Sequence, residues 1–229
     1  MKTVDFESLD QENCFLHYTL KKNLQSIEKE GLLPKIGPNS RHIEKTEKIF
    51  FCVGTDGFLT IMDVWLKWLA VQTNVPKWFY KFGCWWLRSK YTPKVFSTIY
   101  IKIFQNMHLT KKRSRKVLKK ILDESVILVL KLEEGKDFSF EDIDEAKNVY
   151  KVNSAIKYMY PDKERFSDDK LEYWNMHTFS GKSIPASKIS LLKANGYTKA
   201  NDVLKYFIEQ NPEKCKKEHP LLFKYYKSS

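Results

Sequence analysis

Short runs rich in β-branched, aromatic and aliphatic residues recur along the chain at irregular intervals, and they limit the possible folds more than any other feature. CFLHYT (14–19), KIFFCV (48–53), STIYIKIF (97–104), SVILVLKL (125–132), KLEYWNMHT (170–178) and KISLLK (188–193) all read as strands. Helical periodicity falls between some of them and not others, at 21–30, 58–72, 111–122, 141–150 and 199–210. A doubly wound parallel sheet needs regular βαβ alternation, and this order lacks it. The expected class is α+β. Leu24 and Ile27 form the apolar stripe of the first helix, and Gly31 is placed to stop it. Gly54, Asp56 and Gly57 read as a turn after the second strand, and residues 35–47 as a polar loop.

The 229 residues suit one domain spanning 1–229. Residues 58–96 read as a helical, Trp-rich insertion, and 199–210 as a C-terminal helix followed by a Lys-rich tail. The helix at 58–72 is apolar on nearly all sides and predicts burial, with Asp63 and Lys67 one turn apart and able to pair. Those two charges also interrupt the most apolar stretch of the chain, which argues against a membrane span.

Forty Lys and Arg against 28 Asp and Glu give a net charge of +12. That surplus favours polyanions, nucleic acid before membrane. The positive charge concentrates at Lys111, Lys112, Arg113, Arg115, Lys116, Lys119 and Lys120, and Trp78, Trp85 and Trp86 lie among further basic residues. Aromatics interleaved with Lys and Arg can stack on bases while the cations contact phosphates. Cys14, Cys52, Cys84 and Cys215 show no CxxC spacing, so no zinc site or other metal is expected, and Cys14 and Cys52 read as buried thiols. The polar N-terminus lacks the apolar core of a signal peptide. Together with the cysteine usage, this predicts a reducing, cytoplasmic setting.

Three segments then stand in a telling order. His17-Tyr18-Thr19 ends the first strand. Ser26-Ile27-Glu28-Lys29-Glu30-Gly31-Leu32 closes the helix after it, and Ile49-Phe50-Phe51 opens the second strand. Far downstream lies Ile184-Pro185-Ala186-Ser187-Lys188-Ile189. This order resembles the ADP-ribosyltransferase superfamily, over roughly 13–57 and 168–193. The resemblance implies two small, mostly antiparallel sheets with a split NAD-binding cleft between them and helical insertions. NAD would be the co-substrate, bound by His17, Tyr18, Thr19, Phe50 and Phe51.

The resemblance implies four roles. His17 would hold a ribose hydroxyl, Thr19 would help at the same ribose, and Phe50 would flank the nicotinamide ring. Glu172 would hold the 2′-hydroxyl and stabilise the positive charge that develops as the glycosidic bond opens. His17 and Glu172 would thus be the catalytic pair of a mono-ADP-ribosyltransferase acting on a protein or nucleic acid acceptor. Two features depart from the family pattern. Phe50 stands where many members carry Tyr. Glu172 lies twelve positions before Ile184, farther than the usual spacing, and His177 is nearer the expected place. If His177 enters the cleft instead, the chain is a catalytically inactive nucleotide- or nucleic-acid-binding protein on the same scaffold.

Overall fold

The computed structural model describes residues 1–12, 14–35, 47, 49–63, 112–133, 135–137 and 177–227, and at 112–114 and 177–180 only the backbone. The expected strand at 97–104, the helix at 141–150, the Trp-rich segment beyond residue 63 and most of the loop at 35–47 lie outside the described residues.

Six strands are seen: β1 (Thr3–Asp5), β2 (Phe15–Leu20), β3 (Ile49–Val53), β4 (Ser125–Leu130), β5 (His177–Ser180) and β6 (Ile189–Lys193). They form one mixed sheet in the order β1-β6-β4-β2-β3-β5. All pairings are antiparallel except β1 with β6. The protein is therefore α+β. Among the described residues every strand belongs to this sheet, and the second sheet of the expected pair is not among them.

The helices are α1 (Leu24–Glu30), α2 (54–63 in its described part), α3 (Lys112–Asp123), α4 (Ala200–Gln210), α5 (Pro212–Glu218) and α6 (Pro220–Lys227). Leu16, Cys52, Ile127, Val129 and Leu192 cover one sheet face. They pack against Phe58 and Met62 of α2, Leu118 and Leu122 of α3, and Leu204 and Phe207 of α4. Each fully buried Leu or Phe contributes about 1.5–3 kcal/mol over its exposed state. On the opposite face, Ile49, Phe51, Val126, Leu128 and Ile189 meet Ile27 of α1 and the pair Leu32 and Ile184. Every residue of β4 is buried, as befits a central strand covered on both faces.

One local reading is corrected, and two further segments prove to hold regular elements. Gly54 begins α2 instead of a turn. Its φ of +70° suits glycine, and a Cβ there would lie 2.8 Å from the Glu12 carbonyl oxygen. The polar N-terminus contributes the edge strand β1. The Lys-rich tail is folded into α5 and α6, each of which starts at a proline, the residue whose missing N–H costs nothing in a first helical turn. The buried character expected of α2 is found: Phe58, Leu59, Thr60, Met62 and Asp63 are all buried. Lys67 lies outside the described residues. The Asp63 carboxylate accepts the Leu222 N–H at 2.7 Å, at the start of α6.

Candidate functional site

The two halves of the sequence pattern meet directly. The Leu32 N–H donates to the Ile184 carbonyl at 2.8 Å, and the Ile184 N–H donates to the Leu32 carbonyl at 2.9 Å. Gly31 ends α1 with φ +78° and makes this approach possible. Lys188, in the same downstream segment, is held by Asp137 at 2.6 Å and lies 3.7 Å from Glu133. The hydrogen bond from Lys188 holds the Asp137 carboxyl below its usual range. Thus α1, the segment 184–189 and the end of β4 form one clamp beneath β2.

His17 lies in the middle of β2, not at its end. Between β2 and β4 the ladder runs the full length of the strand, from Phe15 opposite Leu130 to Leu20 opposite Ser125. Between β2 and β3 it covers only Phe15 with Val53 and Leu16 with Cys52. At the next position the imidazole itself reaches across: His17 Nδ1 is 2.6 Å from the Phe50 carbonyl oxygen. A carbonyl can only accept, so Nδ1 carries the proton and Nε2 is left as an acceptor. Burial pushes the His17 pKa below the ordinary histidine value, and the Phe50 carbonyl opposes this more weakly. The ring is therefore neutral near pH 7.

Pleat alternation assigns the neighbours. Leu16 and Tyr18 face the helical layer, whereas Phe15, His17 and Thr19 face the α1 side, as their partners Leu130, Leu128 and Val126 do. Phe50 packs with the helical layer and Phe51 with the α1 side. His17 thus shares its face with Phe51, not with Phe50. Phe51 is fully buried and meets Phe15 edge-on at 5.7 Å. The Phe50 ring, expected to flank a nicotinamide beside His17, stands on the other face, and only its carbonyl serves His17.

Thr19 is buried, and its Oγ1 accepts a 3.2 Å hydrogen bond from Asn23 Nδ2. Its own proton remains for donation. Tyr18 turns to the opposite face, where its hydroxyl meets Ser125 Oγ, and Ser125 in turn donates to the Ile121 carbonyl at 2.6 Å. Burial raises the Tyr18 pKa to about 12, so it stays protonated. Tyr18 therefore ties β2 to α3. Sequence reasoning did not single out Asn23, which precedes α1 but makes no side-chain capping bond to it and turns its amide to Thr19 instead.

Glu172 lies outside the described residues. His177 opens β5 opposite Cys52. Cys14 and Cys52 are buried thiols, with burial raising Cys14 to about 11 and Cys52 further still. Cys84 lies outside the described residues. Among the described residues no group of three or more His, Cys, Asp or Glu could hold a metal ion, and no helix is long and apolar enough to cross a membrane.

In the basic cluster, Lys116, Lys119 and Lys120 are exposed. Arg115 turns partly inward, its Nη2 donating to the Tyr225 carbonyl at 3.0 Å near the end of α6. The Lys112 and Arg113 side chains, and Lys111 entirely, lie outside the description, as do Trp78, Trp85 and Trp86.

Comparison with family models, with curated proteins and with solved structures finds no match to this chain.

Proposed function

We propose that the chain binds NAD where the β2–β3 ladder stops and acts as a mono-ADP-ribosyltransferase on a protein or nucleic acid acceptor. One observation carries this reading: the neutral His17 ring, fixed by the Phe50 carbonyl, presents Nε2 as an acceptor beside a strand edge that has lost its ladder partner. Thr19, two residues along on the same face, keeps a hydroxyl proton to donate. An acceptor and a donor on one strand face can each serve a ribose hydroxyl. In this reading the stretch where β2 and β3 no longer pair with each other, while each stays paired to its other neighbour, is the split of the NAD cleft, and Tyr18 and Phe51 support it from behind instead of touching the ligand. Glu172 supplies the carboxylate that stabilises the oxocarbenium-like state.

A second reading, a binding protein on the same scaffold without catalysis, draws on the position of Phe50. On the His17 face the nearby strand aromatics Phe15 and Phe51 pack against each other, and Phe51 has no exposed surface to stack on a nicotinamide.

Calorimetry with NAD and a glycohydrolase assay with labelled NAD separate the two. Binding that is lost in His17→Ala supports the site. Turnover that Glu172→Gln removes, with binding retained, selects the enzyme. Binding without turnover in the wild-type chain selects the binder. Absence of NAD binding at millimolar concentration sinks both.

A further inference from the structure

We propose that Asn23 is a positioning residue of the NAD site, setting the sense of the hydrogen bond that Thr19 offers the ribose; the inference rests on the NAD reading above. The Asn23 side-chain amide donates from Nδ2 to Thr19 Oγ1 at 3.2 Å. A threonine hydroxyl carries one proton and accepts through its lone pairs. With an N–H aimed at its oxygen, the Thr19 hydroxyl cannot turn that proton toward Asn23. The proton takes one of the remaining directions, and the ligand meets a donor.

Local structure shows why Asn23 is available. It precedes α1 at the position where asparagine commonly caps a helix through its side-chain oxygen, a role that goes with an extended backbone. Asn23 instead has φ −86° and ψ −11°, because the 3-10 turn Lys21–Asn23 runs straight into α1. No side-chain capping bond forms. Ser26 Oγ donates to the Asn23 carbonyl at 2.9 Å, which holds the backbone there without the amide. The Asn23 side chain turns back four positions to Thr19.

Thr19 has few other choices. It is 7% exposed, so water competes weakly for its hydroxyl. Its ladder partner Val126 is apolar. Among the described residues, Asn23 is the one hydrogen-bond partner of Thr19 Oγ1. In so sheltered a place the sense of a single hydrogen bond counts for more than it does in water. His17, two residues back on the same face, is fixed in the opposite sense: Nδ1 gives its proton to the Phe50 carbonyl, and Nε2 is left to accept. Asn23 thus does for Thr19 what the Phe50 carbonyl does for His17, and the ribose meets one acceptor and one donor.

The test reads NAD affinity by calorimetry and stability by urea unfolding, both on the full chain. Asn23 is exposed, so replacing it leaves the core intact. Asn23→Asp keeps the shape but presents only acceptors. Thr19 then turns its proton to the carboxylate and shows the ribose a lone pair, and NAD binding should weaken at least about tenfold. Asn23→Ala frees the hydroxyl to rotate and should cost only about two- to threefold. Stability should run in the other order, because Asp still bonds Thr19 and Ala does not. In a Thr19→Val background, Asn23→Asp should weaken NAD binding by less than about twofold further, which separates the effect from the added negative charge. Equal NAD binding by wild type and Asn23→Asp overturns the proposal and leaves the NAD site standing. So does weaker binding by Asn23→Ala than by Asn23→Asp, or a full loss that persists in Thr19→Val. Absence of NAD binding by the wild type overturns the NAD reading and this proposal with it.

Discussion

A Cβ built on Gly31 would lie 2.2 Å from the carbonyl oxygen of Ile184. That oxygen is already the acceptor for Leu32, so it cannot retreat without breaking the bridge. Gly31→Ala adds this clash to the strain of a non-glycine residue at φ +78°, which alone costs about 1–3 kcal/mol. Gly31→Ala should therefore lower the thermal midpoint clearly. Gly181, where a Cβ would meet nothing within 4 Å, is the control, and Gly181→Ala should change stability by less than about 0.5 kcal/mol. Equal effects in the two variants would contradict the clamp between α1 and the segment 184–189.

His17 sets a pH dependence. Its pKa is depressed in the folded chain, so below about pH 6.5 the unfolded chain binds the extra proton first. The stability associated with the neutral ring is complete above that pH and declines as the pH falls. His17→Asn keeps an N–H for the Phe50 carbonyl but does not titrate. Denaturant unfolding from pH 7.5 to 5 should show the wild type losing more stability than His17→Asn. If NAD binds as proposed, its affinity should fall over the same interval, because a protonated Nε2 no longer accepts.

Tyr18→Phe removes one hydroxyl from the chain Tyr18–Ser125–Ile121 while leaving Ser125 its own acceptor. A loss of about 1 kcal/mol is expected, the ordinary net value of such a bond. NAD affinity should be unchanged within about twofold, because Tyr18 faces away from His17. A large drop in affinity with unchanged stability would return Tyr18 to the ligand side.

How legible these features were depends on whether their cause is local. The strands β2, β3, β4 and β6 showed in the sequence because several consecutive apolar residues are buried on one or both faces. Thr3–Asp5 carries no such run; it is a strand because its backbone pairs with Leu191–Lys193, a relationship no window of sequence contains. The glycines at 54 and 57 read as a turn, yet Gly54 uses its positive φ to open a helix. Pro212 and Pro220 are first-turn residues of α5 and α6, and that signal was present but obscured by the surrounding lysines. At the site, His17 and Thr19 could be named from the motif. Which of Phe50 and Phe51 shares their face could not, because a one-residue change of register reverses the answer.

Asp63 provides a further test of the helical layer. Its side chain is almost wholly buried and receives the Leu222 N–H in the first turn of α6, where a carboxylate also suits the positive end of the helix. Asp63→Ala strands that donor and should cost about 1–3 kcal/mol. Asp63→Asn retains an acceptor oxygen and should recover part of the loss. Circular dichroism of both variants during urea unfolding would check the order wild type, Asn, Ala.

The parallel pairing of Thr3–Asp5 with Leu191–Lys193 has a kinetic meaning. During synthesis β1 finds its partner β6 only after β2, β3, β4 and β5 have emerged. The central ladder of β2 with β4 can assemble earlier, so the sheet grows outward from its middle and its oldest edge is sealed last. Until then that edge is bare, and the nascent chain carries a docking template for any extended segment nearby.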